Sequence, residues 1–236
     1  MGQLRDDRIK AILFDLDGTL IDVDLNQFIP SYLKLLANSV AHLIPTKKFV
    51  LAILKASESV NANDGLLTNE EAFAKAFFPI EGYTKEDIDP YFTKFYENKF
   101  KELKKYTTRK PAAREVIQKA LSNDFKVIIA TTPVLPMTAI MQRLEWGGVG
   151  DFSYSLVTSI ENSYATKPNL LYYQLIFKYL NLSPNECLMV GDEDKDMICA
   201  KLGSQTFLVP SSNTNVNSET PKPTYSGALK DILDLI

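Results

Sequence analysis

Five short apolar runs, at residues 10–14, 126–130, 155–157, 187–190 and 205–209, have the length and unbroken hydrophobicity of strands buried on both faces. The first four end on a polar residue or a glycine turn. Between the later runs, apolar positions recur at helical spacing over 111–121, 135–144, 169–180 and 194–202. Alternation of this kind predicts a parallel sheet joined by right-handed crossovers.

The stretch between the first and second runs is too long for one crossover helix and reads as helix throughout. Leu25, Phe28, Tyr32, Leu35, Leu36, Val40 and Leu43 keep near-helical spacing up to Pro45, and 46–57 forms a second helical segment. Thr68 with Glu71 has the form of a capping box opening a third helix. Thr84 with Asp87 opens a fourth, which carries Ile88, Tyr91, Phe92, Phe95 and Phe100. Four antiparallel helices would make a small bundle, entered and left through linkers near 21–24 and 106–110. At helical spacing its aromatics read as bundle core rather than a stacking box, and the single histidine, His42, as a packing or surface residue. The polar stretch 211–226 reads as a surface loop before a last helix.

A chain of 236 residues, 45% hydrophobic and 23% charged, suits one globular α/β body with an insertion. The net charge of -3, without a basic run, excludes nucleic acid as an expected partner. The start is charged, and Asp15 and Asp17 interrupt the apolar run that follows. Neither a signal peptide nor a membrane span fits, so a cytoplasmic location with no membrane partner is expected. Gly2 does not open a myristoylation motif, because Asp6 stands where Ser or Thr is required. Cys187 and Cys199 read as buried reduced thiols.

In open α/β sheets ligands bind beyond the carboxyl ends of the strands, which makes the strand-end residues the ones that carry chemistry. The first run delivers Asp15, then Leu16, Asp17, Gly18 and Thr19. Two carboxylates two residues apart can face one pocket while Gly18 lets the chain turn behind them. One can attack phosphorus; the other can protonate the leaving oxygen and later take a proton from water. An anion attacking an anion needs a cation between them, for which Mg²⁺ is the natural choice. The second run ends on Thr131, whose hydroxyl can bond a phosphoryl oxygen. Lys167-Pro168 follows the third strand, and a lysine there can neutralise a transferring group. The fourth run leads into Gly191 and Asp192, with Asp196 in the first turn of the next helix. Asp192 can ligate a metal beside Asp15 while Asp196 supports that site. Glu193 and Asp194 read as helix-start carboxylates, Asp22 and Asp24 as linker residues, and Trp146-Gly147-Gly148 as a helix stop.

Asp15-Leu16-Asp17-Gly18-Thr19, Thr131, Lys167-Pro168 and Gly191-Asp192 with Asp196 resemble, in order, the four motifs of the haloacid dehalogenase-like superfamily. The resemblance implies a Rossmann-like parallel-sheet core, 1–20 with 109–236, and an all-helical cap domain, 21–108, inserted after the first motif. It implies that Asp15 is nucleophile and metal ligand, and that Asp17 is general acid/base and metal ligand through its carbonyl. Thr131 and Lys167 would bind phosphate, and Asp192 the metal. Thr132 stands where the superfamily often has Asn, which leaves open any phosphate contact from that position.

An Asp two residues after the nucleophile favours phosphate esters over carbon-halogen or phosphonate substrates, since it has a leaving oxygen to protonate. The expected function is a Mg²⁺-dependent phosphatase acting on a small phosphorylated metabolite, as monomer or homodimer. A sugar phosphomutase using the same aspartyl chemistry, and a non-catalytic binding protein of the same fold, remain as alternatives.

Overall fold

The strand that delivers Asp15 is enclosed on every side: Ala11–Phe14 (β1) has no exposed residue and pairs in parallel with Lys126–Ile129 (β4) on one edge and Cys187–Gly191 (β6) on the other. A strand with no wet face must be apolar at consecutive positions, and Ala-Ile-Leu-Phe meets that demand. The computed structural model describes residues 8–212 and 214–236; Gly2 and Asp6, with the lipidation reading, lie outside the described residues.

Leu156–Val157 (β5), Gln205–Leu208 (β7) and Tyr225–Ser226 (β8) complete a six-stranded sheet of order β5-β4-β1-β6-β7-β8, parallel at every pairing. Ala113–Ser122 (α5) and Met137–Gly147 (α6) pack on the face that carries Ile12 and Phe14. Leu170–Leu180 (α7) covers the opposite face, with Tyr172, Tyr173, Ile176 and Phe177 against Ala11 and Leu13. Each fully buried aliphatic side chain in these layers contributes about 1.5–3 kcal/mol. Both cysteines are buried free thiols.

The insertion holds Leu25–Ser39 (α1), Thr46–Asn61 (α2), Asn69–Phe77 (α3) and Lys85–Asn98 (α4), followed by a 3-10 segment, Phe100–Tyr106. Both expected capping boxes are present. Glu71 N donates to Thr68 Oγ1 at 3.1 Å while Thr68 N donates to Glu71 Oε2 at 2.8 Å, and Thr84 N donates to Asp87 Oδ2 at 2.9 Å. Phe49, Phe77 and Phe92 meet edge to face or tilted in the bundle core, and His42 lies against the Tyr91 ring at 5.0 Å.

Several boundaries differ from expectation, each for a local reason. The two linkers run side by side and pair their backbones as Ile21–Val23 (β2) and Thr107–Arg109 (β3), an antiparallel ladder instead of two loose connections. Helix α1 stops at Ser39, short of Pro45. Phe100 leaves the fourth helix and stacks on Trp146 of α6 at 5.4 Å. The helix expected over 194–202 divides into Asp194–Met197 (α8) and a 3-10 turn, Ile198–Leu202, closed by Gly203 at φ +100°. The chain ends on a 3-10 segment, Leu229–Asp234, packed on α5 rather than on a full helix. Gly148, left-handed at φ +77°, stops α6 as the sequence indicates. Among the described residues no helix is long and apolar enough to cross a membrane.

The cap is tied to the core through Asn69, the first residue of α3, which is fully buried. Its Nδ2 donates to the carbonyls of Pro133 at 3.1 Å and Ala165 at 3.2 Å, and its Oδ1 accepts from Asn63 at 2.8 Å. Asn69→Ala would leave buried polar groups without partners, so a loss of about 1–3 kcal/mol is expected. Urea unfolding of the whole chain measures it; a change under a few tenths would show that water replaces the amide.

Candidate active site

The parallel order places the residue after β1 between those after β4 and β6. Asp15 N donates to Val190 O at 2.8 Å and Ala130 N to Phe14 O at 2.7 Å, so Asp15, Thr131 and Asp192 emerge at one edge of the sheet. Behind Asp15 the chain folds back on itself: Leu20 N and Ile21 N donate to Leu16 O, and Gly18 N to Ile21 O at 2.7 Å. Gly18 takes φ +81°, and a Cβ there would overlap the Asp192 carboxylate, so glycine is required on both counts.

Lys167 stands just before α7 and is 4% exposed. Its Nζ donates to Asp15 Oδ1 at 2.7 Å and to Asp196 Oδ1 at 2.5 Å. Burial alone would pull its proton affinity down, but Asp15 and Asp196 together outweigh that and hold it above the ordinary lysine range. Asp196, without exposure, also accepts from Glu193 N through Oδ2 at 3.2 Å, which starts α8. Gly191 makes room for it, since a Cβ at that position would overlap the Asp196 carboxylate.

Asp192 is 1% exposed. Its Oδ2 accepts from Ser211 Oγ at 2.5 Å and its carbonyl from Thr214 Oγ1 at 2.7 Å, while Oδ1 is buried without a hydrogen-bond partner. Carboxylate oxygens of Asp15, Asp192 and Asp196 lie within 4.8 Å of one another. Burial, reinforced by Asp15, pushes the Asp192 carboxyl well above the usual range, and burial pushes Asp196 up against the opposing pull of Lys167. Three buried carboxylates grouped with one ammonium leave net negative charge at the site, and one oxygen of Asp192 is buried there without a hydrogen-bond partner. These residues fit a divalent cation bound through oxygen.

A cavity of about 680 Å³ opens between core and cap, with Asp15, Asp17, Thr131 and Thr132 in its wall. Lys167, Asp192 and Asp196 lie outside that wall, grouped around Asp15. Thr131 is fixed through its carbonyl, which accepts from Thr158 Oγ1 at 2.9 Å and Tyr172 OH at 3.0 Å. Thr132 Oγ1 is buried without a partner. The other acids resolve as structural: Asp24 caps α1 by accepting from Gln27 N, Asp22 pairs with Lys110, and Glu193 pairs with Lys195.

Three groups escaped the sequence reading. Arg143 on α6 is buried, pairs with Asp17 and lies over the Phe28 ring at 5.7 Å; burial lowers it to about 10 against the pull of Asp15. A charged residue three positions after Ile140, inside the buried stripe of its helix, was the available signal. Ser211 and Thr214, from the stretch read as a surface loop, instead hold Asp192, and no pattern distinguished them from loop residues. Lys195, in the cavity wall, follows no motif.

A model of haloacid dehalogenase-like hydrolases matches residues 9–203. Pyrophosphatase PpaX of Oceanobacillus iheyensis is 26% identical over 234 residues, covering 97% of this chain and 95% of that protein. Among solved structures, a HAD phosphatase from Thermococcus onnurineus superposes with a TM-score of 0.59 at 18% identity, covering 95% of this chain and 96% of the other. CbbY from Rhodobacter sphaeroides, in complex with phosphate, gives 0.57 at 15%, covering 95% and 96%. At these identities the solved structures speak for the shared fold.

Saturating divalent cation should raise Tm by roughly 5–10 °C, since a ligand at a hundred times its Kd adds about 2.7 kcal/mol to a domain of this size. Asp192→Asn should lose most of that shift while its metal-free Tm stays level or rises, because one repelling charge is gone. An undiminished shift in the variant would move the cation away from Asp192. Differential scanning fluorimetry with Mg²⁺ reads both.

Proposed function

Because the chain belongs to the haloacid dehalogenase-like hydrolase family, we propose that it is a Mg²⁺-dependent phosphatase that cleaves a phosphate monoester through a phospho-aspartyl intermediate on Asp15. The observation that carries this reading is the setting of Asp15: a buried carboxylate in the cavity wall, with one oxygen held by Lys167 and a second carboxylate two residues on. The chemistry resides in a core of 1–20 and 109–236, and the cap of 21–108 closes over it.

A carboxylate oxygen of Asp15 attacks phosphorus and the ester P–O bond breaks, leaving an acyl phosphate. The departing alkoxide takes a proton from Asp17. Water then attacks the same phosphorus while Asp17 accepts its proton, and the acyl phosphate P–O bond breaks to release inorganic phosphate and restore Asp15. Lys167 keeps Asp15 aimed and offers fixed positive charge beside it. The Thr131 and Thr132 hydroxyls can bond the phosphoryl oxygens from the same wall. Arg143 pairs with Asp17 once that carboxyl is ionised, the form that then takes the proton from water. Asp15 and Asp192, with the Asp17 carbonyl, would hold Mg²⁺, which when bound neutralises phosphoryl charge so that one anion can approach another.

Asp15→Asn is expected to keep the fold and abolish phosphate release, since the neutral amide of nearly the same size cannot serve as nucleophile. Acid quenching during turnover should trap phosphate on Asp15 of the unaltered protein and none on the variant; near-normal activity in folded Asp15→Asn would remove the proposal.

Asp17→Asn should slow phospho-enzyme formation far more for an alkyl phosphate than for p-nitrophenyl phosphate, because nitrophenolate leaves without a proton. With the aryl ester, rapid quench should show a burst of nitrophenolate followed by accumulated phospho-enzyme. Equal slowing for both esters without a burst would mean that Asp17 acts through structure alone.

A further inference from the structure

The same cavity carries information about the group attached to the phosphate. Above Asp15 its wall is built by the cap, from Phe28, Tyr32 and Leu36 of α1, Phe73 of α3, Phe78, and Phe92 of α4. At the rim Ile29 and Leu54 remain 48% exposed, although both are large aliphatic residues that gain by leaving water. The two phenols in the wall satisfy each other, Tyr32 OH and Tyr96 OH lying 2.8 Å apart. Ser57, also in the wall, spends its hydroxyl on Ile53 O, and away from the reacting end Asn61, Thr93 and Thr138 are the remaining neutral polar residues. Aromatic and aliphatic side chains therefore supply most of what a guest would touch there.

Its charges point the same way. Three cations reach the wall, and each faces a carboxylate: Lys85 meets Glu70 and Asp89, Arg143 meets Asp17, and Lys195 meets Glu193. Glu97 and Glu161 add further negative charge to the wall. A substrate with a second phosphoryl group would have to bury that dianion beside carboxylates, with every wall cation already engaged, and burying an uncompensated charge is costly. A metal at Asp15 and Asp192 would neutralise charge at the reacting phosphoryl.

We infer that the physiological substrate is the monophosphate ester of an extended, mainly apolar alcohol, seated between the cap aromatics and the core, and that inorganic pyrophosphate is a poor substrate. The inference rests on the phosphatase reading and sets this chain apart from relatives named pyrophosphatase. The alcohol's apolar body is what the cap recognises; an aliphatic chain and a fused aromatic ring both supply it.

The test is phosphate release by the full chain with Mg²⁺ from ethyl, butyl, hexyl and octyl phosphate, 2-(1-naphthyl)ethyl phosphate, a hexose monophosphate and pyrophosphate. Burial of each methylene should raise kcat/KM roughly fourfold, so octyl phosphate should exceed butyl phosphate by on the order of 10²-fold. Pyrophosphate should fall below butyl phosphate. The ratio of 2-(1-naphthyl)ethyl to octyl phosphate, both alkyl esters with leaving groups of similar basicity, separates an aromatic from an aliphatic alcohol, and a high value for either supports the proposal. Leu54→Ser at the half-exposed rim, where folding is not at stake, should lower the octyl-to-ethyl ratio about fivefold. A flat chain-length series, or pyrophosphate turned over faster than octyl phosphate, overturns the substrate class while phospho-Asp15 still forms. If no substrate yields phosphate and no phospho-Asp15 is trapped, the phosphatase reading falls and takes the substrate class with it.

Discussion

Lys167 is an ammonium with almost no contact with water, and such a group is tolerable only where carboxylates compensate it. Asp15 and Asp196 do so at hydrogen-bond distance, which fixes the ends of three chain segments relative to one another: the turn after β1, the approach to α7 and the start of α8. Asp192 then arrives as a surplus negative charge. The site is therefore rigid on its Lys167 side and electrostatically unfinished on its Asp192 side. That asymmetry underlies the proposed division of labour between a nucleophile at Asp15 and a cation beside Asp192.

Backbone constraints make this crowding feasible. Three carboxylates and a lysine converge at the edge where β1, lying between β4 and β6, ends, with Lys167 brought in from the approach to α7. Gly18 and Gly191 remove the two Cβ atoms that would otherwise overlap Asp192 and Asp196. Ser211 and Thr214 come from a polar connection far along the chain and hold Asp192 by its side chain and its carbonyl. The same edge of the sheet carries the loops that Asn69 binds, so the cap's third helix is bonded to Pro133, next to Thr132, and to Ala165, two residues before Lys167.

What the sequence made legible was whatever local pattern encodes. Unbroken apolar runs announced β1, β4 and β6, the capping boxes at Thr68 and Thr84 announced α3 and α4, and the strand-end positions picked out Asp15, Thr131 and Asp192, which do lie at one edge of the sheet. Pairing between distant segments stayed hidden. The β2–β3 ladder looked like two linkers because a three-residue strand has no period of its own, and β8 was lost within a polar loop for the same reason. Arg143 required knowing that the buried face of α6 looks onto Asp17, which is a tertiary fact. Asn69 read as an ordinary helix-start residue, whereas its burial follows from α3 docking on the core.

The short β2–β3 ladder also bears on the polymer physics of the chain. Residues 24–106 leave and return through adjacent strands whose pairing runs from Ile21 with Arg109 to Val23 with Thr107. Once that clamp forms, the remainder of the chain experiences the cap as a side branch on a hairpin rather than as a long detour between β1 and β4. Closing a loop costs entropy only logarithmically in its length, about 0.6 kcal/mol for each doubling. Lengthening or shortening the branch therefore changes little of what the sheet must overcome to assemble, and the contour length of the cap is nearly decoupled from the stability of the sheet beneath it.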